Sequence, residues 1–348
     1  MAELADLIDR IAPPDEEARA AAQRAYDAKT KPRGSLGRLE EIGCQIAAIR
    51  GGLPGRLDAA VVVAAGDHGV ASEGVSAYPQ EVTAQMVANF VAGGAAINVL
   101  ARATGARLVL VDAGVATACG DELVRSLGLG AGTSSFVDGP AMTPEQAERA
   151  LLAGAALAVE LAADGIGLVG LGEMGIGNTT SAGALAAGLL GVDPAAVCGR
   201  GTGLDDDGLA RKVEVVRRGL ERNPERAPLA VLASLGGFEI AFLAGLVLGC
   251  AAERVPVLLD GFITGAAALV AVRLAPVAAG GLIASHRSPE PGHALVLEAL
   301  GLRPLVELDL RLGEGSGAAL VLPLVQASLA VLEEMATFGE AGVTDAGC

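Results

Sequence analysis

Tryptophan is absent from this chain, and its 348 residues include only 2 tyrosines and 6 phenylalanines. A core of stacked aromatic rings is therefore excluded. The interior must be Ala, Val, Leu and Ile, packed closely with the help of 49 glycines. Basic charge is also scarce: 25 Lys+Arg stand against 41 Asp+Glu, a formal net charge of -16. That balance argues against nucleic acid and against an anionic membrane surface as partners. An anionic substrate would need donors placed locally. The five cysteines (Cys44, Cys119, Cys198, Cys250 and Cys348) are odd in number and form no C-x-x-C pair. A disulfide framework or a zinc ribbon is thus not expected, and a cytoplasmic, reducing setting is. Glu3, Asp6 and Asp9 do not suit a signal peptide. Glu239, Glu253, Asp260 and Arg273 interrupt the apolar region from Leu229 to Ala284, leaving no uncharged run there of the roughly 20 residues that span a bilayer. The three histidines, His68, His286 and His293, show no H-E-x-x-H or zinc spacing, so no metal is expected.

What is present is 52% hydrophobic residues, enough for one large domain or one large plus one small. The first fifty residues read as helices. Leu4, Leu7, Ile8 and Ile11 share one face, Pro13-Pro14 stops that helix, and a polar helix starts near Asp15. A third runs from Leu36 through Ile49 to Gly51-Gly52, after the turn Lys31-Pro32-Arg33-Gly34-Ser35. From Asp58 onward short apolar runs alternate with Ala-rich helical stretches. The runs are Ala60–Ala65, Leu108–Val111, Gly167–Gly170, Val255–Leu259, Leu282–Ala284 and, less clearly, Leu305–Leu308. Thr143-Pro144-Glu145-Gln146 forms a capping box. Such alternation predicts βαβ units: an α/β fold with a Rossmann-like, mostly parallel sheet and helices on both faces. A final apolar stripe (Leu320, Leu324, Ala327, Val331, Leu332) predicts a C-terminal helix, which Pro323 should kink or restart.

Ligands of open α/β sheets bind beyond the carboxyl ends of the strands. Polar residues recur there: Asp67-His68, Asp112, Glu173, Asp260, Ser285-His286 and Glu314. The segment Gly170–Ser181 is the most informative. It reads Gly-Leu-Gly-Glu-Met-Gly-Ile-Gly-Asn-Thr-Thr-Ser between a strand and a helix, as an anion-holding turn does. The plainer alternative is a close-packed turn capped by Asn178 or Thr179. Gly170-x-Gly172-x-x-Gly175 also matches the dinucleotide fingerprint, with Asp193 about twenty residues on. That acid should end a strand, however, and Asp193 follows a helical run. Lys212 is either a phosphate partner or a solvated helix charge beside Arg211. Glu314, between two glycines, is either a proton acceptor or a solvated turn acid. Asp67-His68 reads as a hydrogen-bonded pair closing a strand more readily than as a metal site.

These segments resemble the nicotinate-nucleotide–dimethylbenzimidazole phosphoribosyltransferases. The matching stretches are Lys31–Glu40, Asp67-His68-Gly69 with Glu73–Pro79, Gly172–Thr180, Leu259–Phe262, Ser285-His286 and Arg311–Gly317. The resemblance implies transfer of a phosphoribosyl group from nicotinate mononucleotide to a benzimidazole nitrogen, with inversion at the sugar. It implies that Glu314 accepts the proton, and that Gly175, Gly177, Asn178, Thr179 and Thr180 cradle the 5'-phosphate with Lys212 nearby. By the same resemblance Glu173 holds the ribose, and Tyr78, Met86 and Leu312 wall the base pocket. It further implies no cofactor, a homodimer, a catalytic domain at 56–316, and a small helical domain from 1–55 and 317–348. The accepted base stays open between dimethylbenzimidazole and another lower-ligand base. An NAD-linked oxidoreductase and a non-catalytic nucleotide-binding protein of the same fold remain alternatives.

Overall fold

The computed structural model describes residues 2–117 and 120–344; Cys119, Cys348 and the end of the C-terminal segment lie outside them. Helices α1 (Ala2–Asp9), α2 (Glu16–Asp27) and α3 (Arg38–Arg50) precede strand β1 (Asp58–Gly66). Helices α4 (Val82–Ala92) and α5 (Ala96–Thr104) lead to β2 (Arg107–Gly114) and β3 (Val124–Ser126). Helix α6 (Pro144–Ala163) leads to β4 (Ile166–Met174). Then come α7 (Asn178–Leu190), α8 (Pro194–Val197), α9 (Asp206–Arg222), α10 (Pro228–Leu235) and α11 (Phe238–Ala252), followed by β5 (Val257–Leu259). Helix α12 (Phe262–Leu274), β6 (Leu282–Ala284), α13 (Pro291–Ala299), α14 (Ser316–Glu334) and α15 (Phe338–Ala341) complete the order.

The six strands form one sheet in the order β3-β2-β1-β4-β5-β6, and every pairing is parallel. This is the doubly wound order, whose direction reverses between β1 and β4. Strand β1 reads as a continuous apolar run because both faces are covered. Ala60, Val62 and Ala64 enter one core, and Val61 and Val63 enter the other. The first core is closed chiefly by α6, α7, α11 and α12, and the second by α3, α5 and α14.

Small residues set the helix spacing. A Cβ on Gly245 of α11 would lie 1.9 Å from the Leu151 carbonyl oxygen of α6, and one on Gly154 would lie 2.0 Å from that of Phe242. These two backbones touch, which is where much of the glycine is spent. At the chain's two ends, Tyr26 of α2 passes over Gly43 of α3, and its hydroxyl donates to the Ser328 carbonyl on α14 at 2.8 Å. Lys31 turns inward to a buried pair with Glu40 at 2.7 Å.

Three expectations need correction. Leu305–Leu308 is not a strand; Val306 makes a single bridge to His286. Strand β3 has no counterpart among the apolar runs. Helix α14 continues through Pro323 with no restart. Its apolar length would suffice to cross a membrane, but its buried stripe faces the sheet and α3. The predicted capping box at Thr143 is present, with both reciprocal hydrogen bonds.

Candidate active site

A cleft opens beyond the carboxyl ends of β4, β5 and β6. Its walls are Glu173–Ile176, Asn178 and Thr179 after β4; Gly261–Ile263 after β5; and His286, Ser288 and Glu290 after β6. Gly201 and Thr202 close one side, and Leu310–Gly313 the other.

The turn from β4 into α7 is built for close approach. A Cβ at Gly175 would lie 2.3 Å from the Gly66 carbonyl oxygen, so only glycine passes the end of β1 there. Gly177 takes φ +94° and serves as the N-cap of α7 with no side-chain cap bond. The expected alternative, a turn capped by Asn178 or Thr179, is therefore wrong. Asn178 Nδ2 instead donates to Glu173 Oε2. The Asn178 N–H donates to the Gly175 carbonyl at 3.2 Å and the Thr180 N–H to the Gly177 carbonyl at 2.9 Å, so the turn itself takes up part of the helix N-terminus and no side chain caps it. Lys212 of α9 is fully buried, not a solvated charge. Its Nζ donates to Thr179 Oγ1 at 2.8 Å and to the Gly199 carbonyl at 3.1 Å. Burial lowers its pKa, while Glu290 and Cys198 oppose that shift.

Beneath this turn lies His68, with no exposed surface. Its Nδ1 is 2.8 Å from Ser181 Oγ on α7, and its Nε2 is 2.6 Å from Glu239 Oε1 on α11. The imidazole thus ties the end of β1 to both helices. Asp67 points elsewhere: Oδ2 accepts from the Ala116 N–H at 2.8 Å, and burial raises its pKa. Among the described residues no group of three or more His, Cys, Asp or Glu is placed to hold a metal. Cys44, Cys198 and Cys250 are free and buried.

Glu314 is buried, not a solvated turn acid. It has φ +62° between Gly313 at +87° and Gly315 at +82°, three successive left-handed residues ahead of α14. A non-glycine residue pays about 1–2 kcal/mol for that conformation. Its N–H donates to the Glu173 carbonyl at 3.2 Å, and its Oε2 accepts from the Ile97 N–H of α5 at 3.2 Å. Burial raises its pKa, the Ile97 N–H opposes, and Asp260 adds to the rise. Glu173 is pushed up to about 8, first by burial and then by the charges of Asp260 and Glu239, with Asn178 opposing.

Glu173, Gly175, Asn178 and Thr179 therefore line one cleft, with Gly177 and Thr180 in the same turn and Lys212 behind it. Leu312, half exposed, lines the cleft beside Gly313. Glu314 lies just behind, facing α5. Met86 is half-buried against the same apolar cluster as Ile97. Tyr78 is 52% exposed in the segment before α4 and is not among the cleft-lining residues. Asp193 caps α8, its Oδ1 accepting from the Ala195 N–H at 2.8 Å, and ends no strand. The dinucleotide fingerprint thus lacks its acid. Glu239 and Glu290 were not anticipated from sequence, and Ser181, expected as a hydroxyl donor of the turn, is paired with His68 instead. The one available signal was Glu239, an acid inside an otherwise apolar helix.

A phosphoribosyltransferase family model matches residues 11–343. The nicotinate-nucleotide–dimethylbenzimidazole phosphoribosyltransferase of Chloroflexus aggregans is 53% identical over 351 residues, covering 99% of each chain. The chain belongs to this family. The Geobacter sulfurreducens enzyme of the same name is 51% identical over 98% of each chain. The crystal structure of the Thermus thermophilus nicotinate-nucleotide–dimethylbenzimidazole phosphoribosyltransferase superposes with a TM-score of 0.90 at 49% identity, covering 95% of this chain and 99% of that one. Membership of the nicotinate-nucleotide–dimethylbenzimidazole phosphoribosyltransferases agrees with the Rossmann-like parallel sheet.

Proposed function

We propose that this protein transfers the 5-phosphoribosyl group of nicotinate mononucleotide to 5,6-dimethylbenzimidazole, releasing nicotinate and α-ribazole 5'-phosphate for the cobalamin nucleotide loop. The observation that carries this reading is continuity: Glu314 bonds to Glu173, Glu173 to Asn178, and Asn178 opens the turn at the head of α7. This chain of bonds, the first of them between backbones, ties the turn that carries the buried Glu314 to the turn read here as the anion cradle.

The 5'-phosphate docks on Gly175, Gly177, Asn178, Thr179 and Thr180, with the Lys212 ammonium behind Thr179. Glu173 takes the ribose. The nicotinate ring is a pyridinium at the anomeric carbon and leaves as a neutral ring nitrogen, so that departure needs no acid. The unprotonated benzimidazole nitrogen attacks from the opposite side, forming the new N–C bond as the old one breaks and inverting the sugar. Positive charge then develops on the benzimidazole, and its second N–H loses a proton to Glu314. Burial makes this carboxylate a better acceptor than a solvated one, and a positioned carboxylate base typically contributes about 10²–10⁴-fold. Alignment of the two partners supplies much of the rest. By the family resemblance Leu312, Met86 and Tyr78 wall the base pocket; of the three, Leu312 lines the cleft described above. The protein acts in the cytoplasm as a homodimer, its site in the α/β domain 56–316, with 1–55 and 317–348 as a small helical domain.

Incubation with nicotinate mononucleotide and dimethylbenzimidazole tests this directly. Chromatography should show α-ribazole phosphate and nicotinate appearing together, one for one. No product at high enzyme concentration overturns the reading. Offering adenine and phenols in competition then ranks the accepted bases.

A further inference from the structure

Asp260, at the carboxyl end of β5, is 1% exposed, and both of its oxygens are committed to one short stretch of backbone. Oδ1 accepts from the Gly317 N–H at 2.6 Å, and Oδ2 from the Gly315 N–H at 3.1 Å. These donors lie one and three residues after Glu314. Helix α14 has no side-chain cap of its own at Gly315, so the carboxylate from β5 supplies one from across the sheet. It thereby grips the end of the left-handed run Gly313-Glu314-Gly315, a conformation that persists only where the surroundings impose it. The fit leaves no slack. A Cβ on Gly317 would lie 2.1 Å from His286 Cδ2 and 2.8 Å from Asp260 Oδ1.

We propose that Asp260 is the positioning residue of the transfer, holding the turn that presents Glu314 to the incoming base. This rests on the reading of Glu314 as proton acceptor. The groups facing Glu314 are Glu173 from β4, Asp260 from the end of β5, and the Ile97 N–H of α5. Arg311 lies on Glu314's own loop, and His286 Nε2 stands 3.6 Å behind Asp260 Oδ1. The charge on Asp260 opposes ionisation of Glu314, so the residue that places the acceptor also raises its affinity for the proton.

The test compares Asp260→Asn, Asp260→Glu and Glu314→Gln, measuring kcat with both substrates saturating so that protonation of free base does not enter. Asp260→Asn should lower kcat at neutral pH by about 10–100-fold and move the acid limb of the kcat profile to lower pH, with KM for the nucleotide within about twofold. Asp260→Glu keeps the charge but misplaces it, so kcat should fall while the limb stays. A uniform loss in Asp260→Asn with an unmoved limb overturns the proposal, because general structural damage would do the same. Should the Asn variant not fold, wild-type kcat in Asp260→Glu overturns it alone. If Glu314→Gln is inactive and Asp260→Asn matches wild type in rate and limb, only this proposal falls. If Glu314→Gln keeps the wild-type rate, the acceptor reading falls with it.

Discussion

The backbone N–H of Glu314 donates to the carbonyl oxygen of Glu173 at 3.2 Å, so the main chains of these two residues are tied directly together. One ends β4 and the other begins the approach to α14. Their spacing is thus set by main chain and not by flexible side chains.

The first expectation concerns that spacing. Glu314→Gln should cut kcat by about 10²–10⁴-fold with little change in nucleotide KM. Gly172→Ala should lose activity with Glu314 still present, because the new Cβ would lie 2.6 Å from the Glu314 carbonyl oxygen and must push the turn away. Overpacking of this kind costs about 1–3 kcal/mol, measurable by thermal unfolding. Full activity in Gly172→Ala would contradict the packing.

Glu173 predicts a pH dependence of stability. Its folded pKa of about 8 lies above the ordinary 4.5, so the native state holds the proton more tightly than the unfolded chain. The contribution is complete below about pH 4.5 and is lost as pH rises through about 8. Glu173→Gln has no proton to lose. Its melting temperature, relative to wild type without ligand, should therefore climb between pH 5 and pH 9. Parallel melting curves across that range would refute the shift.

Lys212→Met keeps an unbranched side chain, one atom shorter, and removes its charge. Charge-assisted hydrogen bonds contribute about 1.5–3 kcal/mol, so KM for nicotinate mononucleotide should rise about 10–100-fold. The smaller effect should fall on kcat. Inorganic phosphate should also protect the variant less against thermal unfolding. Unchanged KM would remove Lys212 from the anion site.

His68 gives a coupling test. His68→Ala leaves the Glu239 carboxylate buried without its 2.6 Å partner, which should cost about 3–5 kcal/mol. Adding Glu239→Gln should recover part of that loss, a non-additivity readable from denaturant unfolding. Strict additivity would show that the pair is not coupled.

The sheet was legible wherever a strand is buried on both faces. Val61, Val62 and Val63 have no polar neighbour to disguise them. Strand β3 escaped because it is a three-residue edge with Arg125 exposed, and it has no apolar pattern to detect. Leu305–Leu308 misled for the opposite reason: apolar residues there cover the core's rim without joining the ladder. At the site, Glu314 and the turn before α7 announce themselves through flanking glycines. Partners across the fold do not. Glu239 reaches His68 over 171 positions of sequence, and no local spacing encodes that meeting. Asn178 looked like a helix cap by residue type, yet its amide is drawn to Glu173.

Strand β4 carries bare positions at Gly170 and Gly172, and Gly175 follows just past its end. Each seats a different neighbour: Ala318 of α14, the carbonyl of Glu314, and the end of β1. At about 3.3 Å per residue, the position that seats the Glu314 carbonyl and the one that opens the turn into α7 stand about 10 Å apart along the chain. The distance between these two places is consequently a property of the backbone, which no exchange of side chains alters.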